Sequence, residues 1–268
     1  MSIPIFDTLT HPSLDGSWIH SRWNGKNSFS QLSLSLQEAN VKWAFAVSMG
    51  TSGAYDIHKY PKACLSVEKI ILFPIAFLDF RQFSDLNQLE KWLRSLPDQG
   101  FKGVKLHPRL SRFDLDHPLL VHVIIESNKL NLLPLFCTYF YSQDIACSNL
   151  TIDNLRRFLH KIPNEKIILL HGGTTRLLEL SEMTRPFKSV MLDLSFTMCE
   201  FSGSSIDLDL RYVMRRCRGR VCIGSDSPEI SPLTMRSRFE DLAEGLSLEH
   251  REEIAFRNMF TFSGLAQN

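Results

Sequence analysis

Eight short apolar runs punctuate the chain, at 3–6, 41–49, 70–78, 101–106, 132–138, 166–170, 190–194 and 220–223. Each is rich in Val, Ile, Leu or Phe without polar alternation, as strands buried on both faces must be. Between them the apolar period lengthens to that of helices, over 30–38, 86–96, 118–127, 151–159, 174–183 and 207–216, with a further helix over 247–257 after the last run. Ser84, Thr151 and Asp207 stand where helix caps are expected. Strand and helix in alternation specify an α/β chain with a parallel sheet, and eight units suit a closed (β/α)₈ TIM barrel with a helical tail. No Gly-rich dinucleotide fingerprint follows the first run, which argues against a doubly wound open sheet. The polar stretch 12–27, carrying Trp18, Arg22 and Trp23, is the longest expected loop.

At 268 residues the chain matches one such barrel, so a single domain over 1–268 is expected. A net charge of +1 gives no reason to expect nucleic acid or a membrane as partner. Five arginines fall between 211 and 220, but with Tyr212 alone among them they lack the interleaved aromatics that a stacking platform requires. They are read as the solvated face and last turn of a helix. The six cysteines form no C-x-x-C pair and are expected as thiols of a reducing, cytoplasmic compartment. The N-terminal residues carry neither a basic segment nor a long apolar run, so no secretory signal is expected. A homo-oligomer is compatible with the composition.

In a barrel, polar residues at the C-terminal ends of strands carry chemistry. Just past the runs stand Asp7 and His11, Asp79, Lys105-Leu-His107-Pro-Arg109, Cys137-Thr-Tyr139, His171-Gly-Gly, Asp193-Leu-Ser195 and Gly224-Ser-Asp226-Ser-Pro228. Singly, each has an ordinary explanation: a histidine after a strand can cap or fill, and an aspartate after Gly-Ser can cap the next helix. Together at one barrel mouth, His, His and Asp form a donor set suited to zinc. Lys105 can bind an anionic group or pair with Asp193 or Glu200.

These segments, Asp7…His11-Pro12, Gly100-Phe-Lys-Gly-Val-Lys105-Leu-His107-Pro108, Ile167-Ile-Leu-Leu-His171-Gly172-Gly173 and Ile223-Gly-Ser-Asp226-Ser-Pro228, with a closing stretch 249–264 containing Asn258, resemble the amidohydrolase superfamily. The branch they resemble is amidohydrolase-2, the TIM-barrel metal-dependent hydrolases. The resemblance spans residues 3 to 265. Two of the usual metal positions differ: Leu9 stands where the first strand normally supplies a histidine, and Cys137 replaces the histidine of the fifth. Leucine has no lone pair to give, whereas a thiolate can be a ligand. What the resemblance implies is therefore zero or one zinc ion, held by His11, Cys137, His171 and Asp226. Asp226 would act as general base with His171 beside it, and Lys105, His107, Arg109, Trp18 and Tyr139 would bind the substrate. The reaction so implied is hydrolysis of a lactone, ester or amide in a small polar or carboxylated molecule, sugar-derived ones included. A catalytically degenerate ligand-binding barrel and a related decarboxylase are the alternatives.

Overall fold

The computed structural model describes residues 2–50, 55–141 and 149–267; Cys147 lies outside them. Eight parallel strands follow one another around a sheet in chain order: β1 Ile5–Thr10, β2 Val41–Val47, β3 Ile71–Leu78, β4 Gly103–Leu106, β5 Leu133–Cys137, β6 Ile167–Leu170, β7 Val190–Asp193 and β8 Val221–Cys222. The last meets the first through Thr8 N–H to Ile223 O at 3.1 Å and Asp226 N–H to Leu9 O at 2.8 Å, so the sheet closes on itself. The helices are α1 Phe29–Glu38, α2 Lys59–Leu65, α3 Leu86–Asp98, α4 Pro108–Ser111, α5 Leu120–Lys129, α6 Ile152–Leu159, α7 Leu177–Thr184, α8 Thr197–Glu200, α9 Ile206–Arg216, α10 Pro232–Leu242, α11 Leu248–Glu252 and α12 Asn258–Ser263. The expected TIM barrel with a C-terminal helical tail is observed. Among the described residues no helix is long and apolar enough to cross a membrane, and the five described cysteines are free.

Two cores explain why the strands read as unbroken apolar runs. Alternate residues of each strand point into the barrel or outward under the helices. Phe45, Val47, Phe73, Ile75, Leu133, Leu135, Ile168, Leu170 and Met191 fill the inside. Their neighbours Ala44, Ala46, Leu72, Val104, Phe136, Leu169 and Leu192 meet the helices. The inner core is plugged from below by α12, whose Phe260 ring stands edge-on to Phe6 at 5.2 Å and to Trp43 at 5.0 Å. Asn258 at the start of that helix is buried and donates to Val221 O at 2.9 Å, tying the tail to β8. Gly103 belongs to the inner layer, where a Cβ would lie 2.3 Å from Leu133 O and 2.9 Å from Ile75 Cδ1. Gly103→Ala is therefore expected to cost about 1–3 kcal/mol, the usual scale of overpacking, as read by denaturant unfolding; an unchanged midpoint would contradict this packing.

The differences from the sequence reading have local causes. β1 runs to Thr10 rather than ending near residue 6, because two threonines that break the apolar run satisfy their hydroxyls inside the sheet. Thr8 donates to Asp193 and Thr10 to Phe45 O at 2.7 Å. α10 was not expected because its buried face includes Arg236, whose guanidinium donates to Ile3 O at 2.8 Å. Thr151 caps α6 as expected. Asp85 rather than Ser84 caps α3, and Ser205 rather than Asp207 precedes α9; Asp207 instead accepts from Gly203 N at 2.9 Å and pairs with Arg238. Arg215 and Arg216 are exposed in the last turn of α9, the placement expected of the arginine cluster.

Candidate active site

The strand pleat decides what reaches the barrel mouth. Lys105 follows Gly103 by two residues and Cys137 follows Leu135 by two, so both face inward as the top layer of the inner core. The strand ends then deliver His11 after β1, His107 after β4, His171 after β6, Ser195 after β7 and Asp226 after β8. His171, Phe196 and Asp226 carry positive φ angles of 66°, 61° and 63°, a left-handed conformation that side-chain-bearing residues avoid. Such strain, on the order of 1 kcal/mol or more per residue, persists where surrounding bonds hold it and gathers at functional sites. Here Asp226 N–H is held by Leu9 O, and the His171 carbonyl accepts from Thr197 Oγ1 at 2.6 Å.

Two histidines are oriented from behind. His11 Nδ1 lies 3.0 Å from Val47 O, which can only accept, so Nδ1 carries the proton and Nε2 is left facing Asp226 Oδ1 at 3.2 Å. His171 Nδ1 lies 3.4 Å from Ser195 Oγ, whose own proton goes to Asp193 Oδ1. Asp193 also accepts from Thr8 Oγ1 and from the backbone N–H groups of His171 and Ser195. His107 Nδ1 accepts from Leu110 N at 3.3 Å, which leaves its Nε2 as the donor.

The electrostatics follow from burial and neighbours. Burial alone would raise Asp226, but His11, hydrogen-bonded to it, with His171 and Lys105 nearby, holds the carboxyl well below the usual range. It is a carboxylate across the physiological range. Burial pushes His11 down, against the pull of Asp226. Burial likewise raises the Cys137 thiol, but His107 and His171 beside it outweigh this and bring it well below its ordinary value. His171 is raised: burial opposes its charge, and the Cys137 sulfur and Asp226 more than compensate. Burial lowers Lys105, opposed by Cys137 and Asp226.

A cavity of about 280 Å³ opens over these groups, close to the lower end for small-ligand sites. His11, Lys105, His107, Arg109, His171 and Asp226 line its polar side; Trp18, Ile19, Met49 and Leu110 line the apolar side, with His20 and Glu229 at the rim. Among the described residues Lys105, 1% exposed, has no hydrogen-bond or ion-pair partner, so the suggested pairs with Asp193 or Glu200 are not formed. Arg109 has no carboxylate partner either; its guanidinium stacks 4.4 Å from the Tyr139 ring and its Nε is buried without an acceptor. Two basic side chains thus face one small cavity, and among the described residues neither forms a salt bridge. A larger hollow of about 390 Å³, beside α6 and lined by Leu115, Asn154, Arg157 and Lys161 among others, contains none of the barrel-mouth groups.

The structure therefore brings His11, Trp18, Lys105, His107, Arg109, His171 and Asp226 to one cavity, with Cys137 buried beneath it and Tyr139 behind Arg109. Trp23 packs behind, with Trp18, Met49 and Phe77. Sequence reasoning missed Met49, Ile19, Leu110, His20 and Glu229. Glu229 had a signal, standing three residues after Asp226, and so did Met49, which closes the second apolar run.

The donors can be tested against a metal. With Nδ1 protonated, His11 aims a lone pair at the Asp226 carboxylate, a repulsive arrangement unless a proton or a cation lies between them. Their 3.2 Å separation is also about the edge between two ligands of one tetrahedral zinc ion, each at about 2.0–2.1 Å. Cys137 and His171 form a second group, and among the described residues no three His, Cys, Asp or Glu side chains are arranged to hold one ion. His11 and Asp226 thus offer two donors, a nitrogen and an oxygen, fewer than the three or four protein ligands of a zinc site.

No known protein family matches the sequence, and neither does any curated protein. Solved structures do match. An uncharacterized TIM-barrel protein from Bordetella bronchiseptica superposes with a TM-score of 0.78 at 13% identity, over 98% of this chain and 100% of that one. A Staphylococcus aureus protein provisionally assigned as an amidohydrolase gives 0.68 at 13% identity, over 98% and 100%. The 5-carboxyvanillate decarboxylase of Novosphingobium aromaticivorans, in complex with manganese and 4-hydroxy-3-methoxy-5-nitrobenzoic acid, gives 0.66 at 10% identity, over 98% and 97%. At these identities the likeness establishes the fold across nearly the whole chain.

Proposed function

We propose that this chain is an enzyme of the amidohydrolase superfamily, amidohydrolase-2 branch, that hydrolyses a lactone, ester or amide bond in a small carboxylated molecule. The observation that carries this reading is the His11–Asp226 pair, 3.2 Å apart on a cavity also lined by Lys105 and Arg109. The substrate carboxylate docks on Arg109 and Lys105, with His107 beside them; the guanidinium fork suits a planar carboxylate. Its apolar body lies against Trp18, Met49 and Leu110. A water beside Asp226 gives up a proton to the Asp226–His11 pair as its oxygen bonds to the carbonyl carbon. The His171 imidazole stabilises the oxyanion. The carbon–oxygen or carbon–nitrogen bond then breaks, and the proton held at Asp226 passes to the leaving group. A divalent ion, if bound, would take His11 nitrogen and Asp226 oxygen as ligands and would supply Lewis acidity toward water and carbonyl.

Decarboxylation is the second reading, favoured by the same two basic side chains and by the decarboxylase among the structural neighbours. A screen of carboxylated lactones, esters and amides beside aromatic and aliphatic acids separates the two. The expected result is uptake of water with no release of CO₂; CO₂ release would move the assignment to the decarboxylases. Absence of turnover with retained carboxylate binding would make the chain a ligand-binding barrel. On any substrate found, Arg109→Ala is expected to raise KM about tenfold or more, the scale of a charge-assisted hydrogen bond. An analogue lacking the carboxylate should show no such change, and equal effects on both would remove Arg109 from carboxylate binding.

A further inference from the structure

The stretch between β1 and α1 does more than connect them. Its Trp18, 9% exposed, lies over the His11 ring with centroids 5.2 Å apart and planes 24° apart. Stacking on a neutral imidazole is a weak contact and would not by itself fix a loop residue. What fixes Trp18 comes from the other side of the mouth. Its indole Nε1–H donates to Glu229 Oε1 at 2.6 Å, His20 Nε2 lies 3.6 Å from the same oxygen, and Arg22 pairs with Oε2. Glu229 is in turn fixed to the Asp226 loop, its N–H donating to Asp226 O at 3.1 Å. One carboxylate thus gathers three side chains of the β1 loop and sets them against the loop that carries Asp226. The base of the β1 loop is anchored separately: Asn27 Nδ2 donates to His11 O at 2.6 Å, and Ser13 Oγ to Ser17 O at 2.7 Å.

We infer that Glu229 is a positioning residue that holds the Trp18 indole over His11, and that Trp18 is the specificity-determining roof of the cavity. This rests on the assignment of the barrel mouth as the active site. The roof closes over the cavity that Lys105 and Arg109 also line, so substrates long enough to displace the indole are excluded. Without the Glu229 carboxylate, the loop keeps its base but loses the contact that carries Trp18 across the mouth.

The test reads the roof directly and needs no substrate. Intact protein is treated with diethylpyrocarbonate at neutral pH, and modification at each histidine is followed by peptide mass spectrometry. His171, in the same cavity, is the internal control, since the roof stacks on His11 and not on it. In Glu229→Ala, modification of His11 should accelerate about tenfold or more, the scale expected when a hydrogen bond to a charged acceptor no longer opposes local opening. His171 should stay at its wild-type rate. Trp18→Ala should reproduce this, and Glu229→Gln, which keeps an oxygen for the indole N–H, should remain near wild type. Unchanged His11 reactivity in both alanine variants would overturn the inference. Parallel acceleration of His11 and His171 would also overturn it, by showing general loosening of the mouth. If the footprint behaves as expected while no hydrolysis is ever found, the roof stands and only the catalytic assignment falls.

Discussion

Asp7→Asn should remove much of the pH dependence of folding stability between about pH 4 and 7. Asp7 sits inside β1, fully buried. Oδ1 accepts from Leu9 N at 3.1 Å and Ser225 N at 2.8 Å, while Oδ2 has no partner. Burial, with a contribution from the Asp193 charge, pushes its pKa from 3.8 up to about 7, despite the opposing hydrogen bonds from Ser225 and Leu9. A carboxyl raised in the folded state favours folding when protonated. That contribution is fully present below pH 3.8 and is lost as pH rises through about 7. At about 1.4 kcal/mol per pH unit the full span comes to about 4 kcal/mol.

Asparagine keeps the Oδ1 acceptor and carries no charge at any pH. The wild type should therefore lose stability from pH 5 to pH 8 while Asp7→Asn loses much less, with a Tm advantage of several degrees at pH 8. Asp193, also raised by burial, leaves a residual slope of the same sign in both proteins. The decisive quantity is the difference between the two slopes, taken from urea unfolding at each pH. Equal slopes would show that Asp7 is ionised in the folded protein and compensated by its neighbours.

Asp7 also marks the limit of what sequence can show. The barrel was legible because strands buried on both faces leave an unmistakable apolar signature, and because the top inward positions of β4 and β5 break it with Lys105 and Cys137. His11, His171 and Asp226 were legible as polar residues where such runs end. Asp7 was read as the first residue beyond a strand, since the threonines of β1 conceal the strand's continuation; the structure makes it a buried group beneath the mouth. Ser195 and Asp193 were visible as residues, but their role of fixing His171 through Nδ1 depends on proximity between β6 and β7 that no local pattern encodes. Glu229 and Trp18 are 211 positions apart. Their contact exists only because the barrel closes, so the roof over His11 could not be read before the fold was in hand.

Asp226→Asn should lower kcat by about 10²-fold or more, the scale of a positioned proton-transfer group. The carboxylate lies 3.2 Å from His11 Nε2 and is kept ionised despite its burial by His11, His171 and Lys105. Asparagine retains the shape and an acceptor oxygen but cannot take a proton from water. It also suits the backbone: φ is 63° at this position, and asparagine tolerates the left-handed region better than most residues. The fold should therefore survive the change, so a loss of rate cannot be attributed to unfolding. The alternative, that Asp226 only shapes the turn after β8, makes the opposite claim, because asparagine serves a turn as well as aspartate does. The most direct measurement is turnover of the best substrate from the carboxylate screen by wild type and Asp226→Asn, purified in parallel and matched by thermal unfolding. The expected result is a variant with unchanged unfolding and a kcat about 1% of wild type or less; near-equal turnover in a folded variant would contradict the account.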